Sequence, residues 1–172
     1  MSLKRYEGYL IDLDGTMYRG IEKIDGASRF VKRLVENKIP YLFVTNNSSQ
    51  TPEEVAAKLV TMDIPATKEQ VFTSSLATAN LIRNEKADAK VYMIGEEGLQ
   101  TALHNAGLEL VEDNPDYVVI GIDRKINYEK LSKACLAVRA GAKFISTNGD
   151  IAIPTERGLL PGNGSLTAVV QV

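Results

Sequence analysis

Two aspartates near the start of the chain carry the sharpest chemical signal in the sequence. Asp12 and Asp14 stand two residues apart in the run 10–16, where an apolar strand runs into an Asp-Gly turn. A period of two residues places both carboxylates on one side of the strand, roughly 6 to 7 Å apart at ~3.3 Å per residue. They would lie at the carboxyl edge of the sheet, where open α/β sheets bind ligands, and both can reach one substrate atom.

The alternative interpretation of this segment is an ordinary strand end. Asp14 taken alone fits a turn, because Asp-Gly is a common turn pair. Asp12 argues against that interpretation, since a carboxylate inside a run buried on both faces must find a cation or donors that offset its desolvation. The pair therefore favours a functional site over a plain turn.

A pair of carboxylates at one site needs a hard cation, because the two repel each other and a phosphate dianion would repel them further. One pair of unit charges about 4 Å apart is worth about 4 kcal/mol at an effective dielectric of about 20. Mg²⁺ suits oxygen ligands and commonly combines one or two carboxylates with substrate phosphate oxygens. There Asp12 can attack phosphorus to form an acyl-phosphate, while Asp14 protonates the leaving oxygen and later deprotonates the hydrolytic water. Asp12 and Asp14 are therefore the predicted catalytic residues and metal ligands.

Neutral hydrogen-bond donors follow the next strand along the chain. Thr45, Asn46 and Asn47 supply a hydroxyl, amides and backbone N–H groups, which hold phosphate oxygens and stabilise charge that develops during transfer. Taken alone, the segment fits a turn before the next helix. Its position one βα unit after the aspartate pair favours substrate binding instead. A weaker echo of this pattern, Thr147-Asn148, has no acidic pair before it and is interpreted as a turn of the second unit, with a position facing the cleft as the alternative. Asp150 could face the substrate, but a turn residue is the simpler interpretation.

The elements that must position these residues alternate between short apolar runs and helical patterns. That alternation predicts an α/β fold with a mainly parallel sheet. Strands are predicted at 9–13, 41–44, 71–73, 91–94, 117–122 and 144–146, and helices after Asp25, from 51 to about 62, 75–84, 96–105 and 128–140. A Gly/Pro loop is expected at 158–164, followed by a last segment at 165–172. The pattern restarts after a polar stretch at 83–86, which indicates two α/β units.

The first predicted helix, capped by Asp25, shows helical spacing of its apolar residues. They are predicted to form a single buried stripe: Ala27, Phe30, Val31, Leu34 and Val35.

Composition excludes several classes of protein. The 172 residues include 20 Lys plus Arg and 22 Asp plus Glu, a formal net charge of −2, so no global positive field recruits nucleic acid or an anionic membrane. With one cysteine and one histidine, the chain has no intrachain disulfide framework and no Cys-rich zinc site. The N-terminus shows no secretory signal and no window resembles a membrane span. A soluble, cytoplasmic protein is expected.

The motifs 12–16 and 45–48 resemble the first two motifs of the haloacid dehalogenase (HAD) superfamily of phosphohydrolases. The whole chain is similar to its NagD or 4-nitrophenylphosphatase branch, with further matching segments at 72–74, 92–96, 144–150 and 161–166. The resemblance implies a Rossmannoid parallel-sheet core, of which residues 1–80 form the N-terminal part. It also implies an inserted α/β type-II cap, of the IIA kind, at 81–172.

The resemblance also implies residue roles. Asp12 would be the nucleophile, Asp14 the general acid and base, and Thr45 with Asn46 the phosphate binders. The family's Mg²⁺ would be held by the Asp12 side chain and the Asp14 backbone carbonyl. The implied substrate is a small phosphorylated metabolite, a sugar phosphate or nucleotide, and dimerisation through the cap fits the branch.

One departure from the family pattern concerns its third-motif lysine and fourth-motif acidic cluster. The sequence runs to 168–172 without a Gly-Lys-Pro or a Gly-Asp-x-x-x-Asp segment after the cap. The chain is therefore expected to be the front part of a larger enzyme, and weak or absent catalysis is predicted for this piece alone. Two rivals stay open: a phosphate-ligand binding or interaction module on the same fold, and a phosphomutase or dehalogenase.

Overall fold

The computed structural model describes residues 6–155 and 157–171. These residues fall into two compact units. Unit 1 contains the described residues up to Thr45 together with Pro52–Phe72, and unit 2 contains Asn46–Thr51 together with the described residues from Thr73 onward. The division at residue 80 that the sequence predicts stays a prediction.

Unit 1 is built on a small sheet with strand order β1-β4-β5. Strand β1 runs parallel to β4, with Tyr9 opposite Tyr41 and Asp12 opposite Val44. The elements of the unit are β1 (Tyr9–Asp12), β2 (Tyr18–Arg19), β3 (Glu22–Lys23), α1 (Ala27–Glu36), β4 (Tyr41–Thr45), α2 (Pro52–Thr61), a 3₁₀ turn (Lys68–Gln70) and β5 (Val71–Thr73), whose last residue begins the remainder of unit 2. The predicted first three strands and two helices are thus confirmed, while the short β2-β3 hairpin was not predicted.

Helix α1 differs from its predicted packing. Ala27, Val31 and Leu34 are buried as predicted, but Phe30 is 38% exposed and Val35 is 49% exposed. Phe30 lies at the margin of the apolar stripe, where its ring meets Tyr9 edge to face with 5.4 Å between centroids. Gly26, with φ of 87°, rather than Asp25, precedes the first turn. The stripe that faces the sheet is therefore narrower than the spacing of apolar residues indicates.

Unit 2 contains a four-stranded sheet in the order β7-β6-β8-β9, with every neighbouring pair parallel. All four residues of β8 are buried, as expected for a strand covered on both faces. The elements are α3 (Ser74–Glu85), β6 (Lys90–Ile94), α4 (Glu97–Asn105), β7 (Glu109–Leu110), β8 (Tyr117–Ile120), α5 (Tyr128–Arg139), β9 (Lys143–Ser146), β10 (Ala152–Thr155), β11 (Gly158–Pro161) and α6 (Asn163–Val170). Parallel sheets with connecting helices confirm the predicted α/β class.

The first part of the loop predicted at 158–164 is a strand instead. This strand, β11, forms an antiparallel pair with β10, with Ala152 opposite Pro161 and Thr155 opposite Gly158. Gly158 and Pro161 are residue types that favour turns and interrupt strands, so their presence favoured a loop over a paired strand. The predicted last segment forms α6, and the end of that prediction, Val172, lies outside the described residues.

None of the helices in the described part of the chain is long and apolar enough to cross a bilayer. The sequence predicts no secretory signal at the N-terminus, and residues 1–5 of that segment lie outside the described residues.

Candidate active site

The turn after β1 sets the directions of Asp12 and Asp14. Leu13 between them is fully buried, and its carbonyl accepts hydrogen bonds from the backbone N–H groups of Thr16 (3.1 Å) and Met17 (2.8 Å). Because successive side chains of an extended chain point to opposite sides, the buried Leu13 leaves both aspartates on the exposed side. Gly15, with φ of 82°, adopts the left-handed conformation that this turn requires.

The open face of β1 corrects one premise of the sequence interpretation. The run was expected to be buried on both faces, yet Leu10 is 78% exposed and lies on the same side of the strand as Asp12. In the described residues β1 pairs with β4 alone, so it is an edge strand of the sheet. Desolvation therefore does not by itself single out Asp12; the pairing of two carboxylates does.

The two carboxylates of this turn influence each other electrostatically. Partial burial raises the pKa of the Asp14 carboxyl, the charge of Lys58 opposes the rise, and the charge of Asp12 adds to it. The Thr16 hydroxyl donates a long hydrogen bond of 3.4 Å to Asp12 Oδ2. Asp14 thus holds a proton more readily than an ordinary aspartate does, which suits a general acid.

Tyr18 and Lys58 both interact electrostatically with Asp14. The Lys58 ammonium lies 3.7 Å from the centroid of the Tyr18 ring, and the backbone N–H of Gly15 donates to the Tyr18 carbonyl at 2.8 Å. Burial, followed by the charges of Asp14 and Asp12, raises the pKa of the Tyr18 hydroxyl, which therefore stays protonated. Sequence reasoning missed this cation, because a lysine in the last turn of α2 carries no motif.

Thr45 ends β4 beside the end of β1. Since Asp12 lies opposite Val44 in the parallel register, Thr45 follows at the same edge of the sheet as the aspartate turn. Its side chain is 3% exposed. Within unit 1 the structure therefore brings Asp12, Asp14 and Thr45 to one edge of the sheet.

Asn46 and Asn47 belong to unit 2, where the segment Asn46–Thr51 is hydrogen-bonded along its length. The hydroxyls of Ser74 and Ser75 donate to the carbonyls of Asn46 (2.9 Å) and Ser48 (3.0 Å), and the N–H of Gly98 donates to Ser49 (3.0 Å). A Cβ on Gly98 would lie 2.4 Å from the Gln50 carbonyl oxygen, so only glycine allows this approach.

The Asn47 side chain is used to build the turn. Its Oδ1 accepts hydrogen bonds from the Ser49 N–H and the Ser49 hydroxyl, both at 2.8 Å, and its amide donates to Gln50 at 3.2 Å. This is the Asx arrangement that favours asparagine in turns. A role for Asn47 in phosphate binding stays a prediction.

Asn46 instead contacts the loop that follows β9. Its side-chain amide donates to the Asp150 carboxylate, and its carbonyl accepts a hydrogen bond of 3.0 Å from the Asn148 amide. Sequence analysis treated both residues as turn formers. The echo of the Thr-Asn pattern was the signal that could have found them.

A magnesium ion fits the donor set in unit 1. No cluster of three or more His, Cys, Asp or Glu side chains able to hold a metal occurs within residues 6–155 and 157–171. Two neighbouring carboxylates are nevertheless what Mg²⁺ commonly takes from a protein, since water and substrate phosphate oxygens complete its coordination. Asp12 and Asp14 are the residues that would hold it.

Sequence and structure comparisons find similar proteins, several of which bear phosphatase names. The family of haloacid dehalogenase-like hydrolases matches residues 9–109. The 5'-nucleotidase YutF of Bacillus subtilis is 65% identical over 170 residues, which are 99% of this chain and 66% of that protein. The acid sugar phosphatase of Staphylococcus haemolyticus is 60% identical over 171 residues, 99% of this chain and 65% of that protein.

Among solved structures, a thermostable NPPase double mutant from Geobacillus stearothermophilus superposes with a TM-score of 0.93 at 60% identity. The match covers 98% of this chain and 67% of the other. The chain thus spans about two thirds of the length of the relatives it matches. The family match and the identity to these relatives confirm the resemblance that the two aspartates and the Thr-Asn-Asn segment indicate, and the chain belongs to the haloacid dehalogenase-like hydrolases.

Proposed function

We propose that the complete protein is a Mg²⁺-dependent phosphatase that cleaves small phosphomonoesters through an aspartyl-phosphate. The observation that carries this proposal is the turn after β1, which presents two mutually repelling carboxylates on the exposed side of a buried leucine. Membership of a hydrolase family whose similar members bear phosphatase names supports the same chemistry.

Asp12 is assigned the nucleophilic role. Its carboxylate is exposed at the end of β1 and accepts a long hydrogen bond of 3.4 Å from the Thr16 hydroxyl, so an oxygen lone pair can be directed at phosphorus. Attack forms the Asp12–phosphorus bond and breaks the bond between phosphorus and the ester oxygen. Water then attacks the same phosphorus, which releases inorganic phosphate and restores the carboxylate.

Asp14 is assigned the proton transfers. Its raised pKa allows it to carry a proton at the start of the cycle, and that proton passes to the departing ester oxygen. The resulting carboxylate then accepts a proton from the hydrolytic water. After one cycle the proton is again on Asp14, so the steps balance.

Thr45 and Asn46 are assigned to phosphate binding, since a hydroxyl and an amide can donate hydrogen bonds to phosphate oxygens. Bound Mg²⁺, held by the Asp12 side chain and the Asp14 backbone carbonyl, would neutralise charge and polarise the phosphoryl group. Both assignments follow the pattern of the family.

The proposed substrates are nucleoside monophosphates and sugar phosphates. The names of the two relatives specify a 5'-nucleotidase and an acid sugar phosphatase, and both are about equally similar to this chain. A homodimer and a cytoplasmic location also belong to this proposal.

The test is Asp12→Asn in the complete enzyme, with phosphate release from 4-nitrophenyl phosphate measured in the presence and absence of Mg²⁺. We expect turnover to be abolished by the substitution and to require the metal in the unmodified enzyme. Asp113→Asn is a matched control, because Asp113 is exposed on a loop of unit 2. Near-normal release by the Asp12 variant would contradict the proposal, and phosphate binding without any turnover by the unmodified enzyme would favour the binding-module alternative.

A further inference from the structure

The loop after β9 holds Asn46 at two points. The Asn148 amide donates to the Asn46 carbonyl at 3.0 Å, and the Asn46 side-chain amide donates to the Asp150 carboxylate. The Ser74 hydroxyl donates to the same carbonyl at 2.9 Å. Both the backbone and the side chain of Asn46 are therefore fixed by residues more than a hundred positions away from it.

The loop that makes these contacts is itself rigidly built. The Asp150 N–H donates to Asn148 Oδ1 at 3.0 Å, so the two residues that contact Asn46 also orient each other. Asn163, which is 1% exposed, donates to the Asn148 carbonyl at 2.8 Å and to the Ser146 hydroxyl at 2.9 Å. This network ties the loop to the start of α6.

Two glycines bring α6 close to the loop. A Cβ on Gly162 would lie 2.2 Å from the Asp150 carbonyl oxygen, and a Cβ on Gly164 would lie 2.2 Å from the Gly149 carbonyl oxygen. The Gly164 N–H donates to the Asp150 carbonyl at 2.8 Å. The backbone of the loop thus has little freedom to move away from α6, which gives Asn148 and Asp150 a fixed base.

The chemistry of the contact orients the Asn46 amide. An ionised carboxylate only accepts hydrogen bonds, so it selects the rotamer in which Nδ2 rather than Oδ1 faces Asp150. A primary amide has two N–H groups, and fixing the direction of one fixes the direction of the other. A donor that is oriented in advance stabilises an anion without reorganising when that anion arrives.

We propose that Asn148 and Asp150 are positioning residues that hold Asn46 in the orientation needed to donate to a phosphate oxygen. The proposal rests on the proposed function, in which Asn46 binds phosphate. Asn46 and Asp150 are both exposed, and an exposed polar contact contributes little to stability. Removing the contact between Asn46 and Asp150 is therefore expected to weaken phosphate binding and to leave the unfolding midpoint almost unchanged.

The first test measures the KM for 4-nitrophenyl phosphate and the inhibition constant of inorganic phosphate in the complete enzyme. Asp150→Ala and Asn148→Ala should each raise both constants, by about 10-fold for Asp150, whose contact with Asn46 is charge-assisted. Asp150→Asn, which keeps an acceptor, should recover part of the loss. Asp113→Ala and Asn105→Ala are matched controls at exposed positions of unit 2 and should change neither constant. Unchanged constants in both loop variants would overturn the proposal.

A double-mutant cycle separates positioning from a direct or structural role. Asn46→Ala alone should raise the inhibition constant of phosphate, and adding Asp150→Ala to it should raise the constant no further, because Asp150 acts through Asn46. Additive effects would overturn the proposal while leaving the phosphatase function intact. An unaltered constant in Asn46→Ala would also overturn it. Failure of the proposed function itself would show separately, as turnover that survives Asp12→Asn.

Discussion

The aspartate pair of unit 1 and two aspartates of unit 2, Asp116 and Asp123, lie in opposite electrostatic surroundings. In unit 2, Asp116 accepts hydrogen bonds from the Lys86 ammonium (2.7 Å) and the Lys90 N–H (2.9 Å), and Asp123 accepts from Lys130 (2.6 Å) and the Lys125 N–H (2.7 Å). These contacts lower the pKa of Asp116, the one with Lys86 most. In unit 1, burial and the charge of Asp12 raise the pKa of Asp14, against the opposing charge of Lys58.

This contrast distinguishes carboxylates that stabilise the fold from carboxylates that are expected to bind a ligand or react with it. A carboxylate whose charge is matched by a cation and by N–H donors lowers the free energy of the folded state. Two carboxylates held side by side raise it, and that arrangement is expected where a cation and a phosphoryl group are to be bound. Four measurements test the contrast.

The largest effect is expected for Asp14→Asn. Loss of the general acid should lower kcat by about 10² to 10⁴-fold. The loss should be greater for an alkyl phosphate than for 4-nitrophenyl phosphate, whose leaving group needs less protonation. Steady-state assays of both substrates in the complete enzyme measure the difference. Asp116→Asn serves as the comparison and should leave kcat unchanged. An equal loss of kcat in both variants would contradict the distinction between the aspartate pair and the cation-paired aspartates.

The next effect is on stability and concerns Asp123, whose side chain is 3% exposed. Asp123→Ala removes the partner of Lys130 and an acceptor for the Lys125 N–H, so we expect a loss of about 2 kcal/mol in the free energy of unfolding. Urea denaturation measures it. Asp113→Ala should stay within about 0.5 kcal/mol of the unmodified protein. A similar small change in the Asp123 variant would mean that this ion pair does not stabilise unit 2.

Asp14→Asn is expected to change the free energy of unfolding by a smaller amount and in the opposite direction, as urea denaturation would measure. The substitution removes a charge that Asp12 repels and that partial burial disfavours, so stability should rise by about 0.5 to 1 kcal/mol after screening by solvent. The same variant is expected to lose most of its activity, as is common where a site holds unfavourable contacts. A loss of stability would show that Lys58 outweighs the repulsion.

The smallest effect is a change in acid sensitivity. The folded-state pKa of Asp116 is lowered, so its stabilisation is present above the unfolded value of about 3.9 and is lost as the pH falls through the folded value. For Asp14 the folded-state pKa is raised, so its penalty is present above that pKa and disappears on acidification. Between about pH 5 and 3, Asp116→Asn should therefore lose less unfolding free energy than the unmodified protein, and Asp14→Asn should lose more. Parallel curves for all three would contradict both pKa directions.

The strands and the aspartate pair were predictable from the sequence because both are local signals. Apolar runs such as 41–44 and 91–94 match β4 and β6 to within one residue, and the Asp-x-Asp spacing requires only the alternation of an extended chain. The exposure of Phe30 was not predictable, because burial at the margin of a stripe depends on what packs against it.

Long-range contacts account for the rest of what sequence reasoning missed. Asn46 lies 102 positions from Asn148 and 104 from Asp150, and no local pattern specifies that these residues meet. Asparagine and aspartate are ordinary turn formers, so their composition favoured the plainer interpretation. The hairpin β10-β11 was missed for a similar reason, since its pairing rather than its residue types makes it a hairpin.

Gly98 has a consequence for protein engineering. Glycine inside a helix such as α4 is a standard target for replacement by alanine, which usually strengthens a helix by up to about 1 kcal/mol. At this position a methyl group would collide with the main chain of Gln50 and displace the segment that carries Asn46. A thermostability campaign guided by helix propensity alone would therefore select a substitution that disturbs the backbone of the segment next to α4.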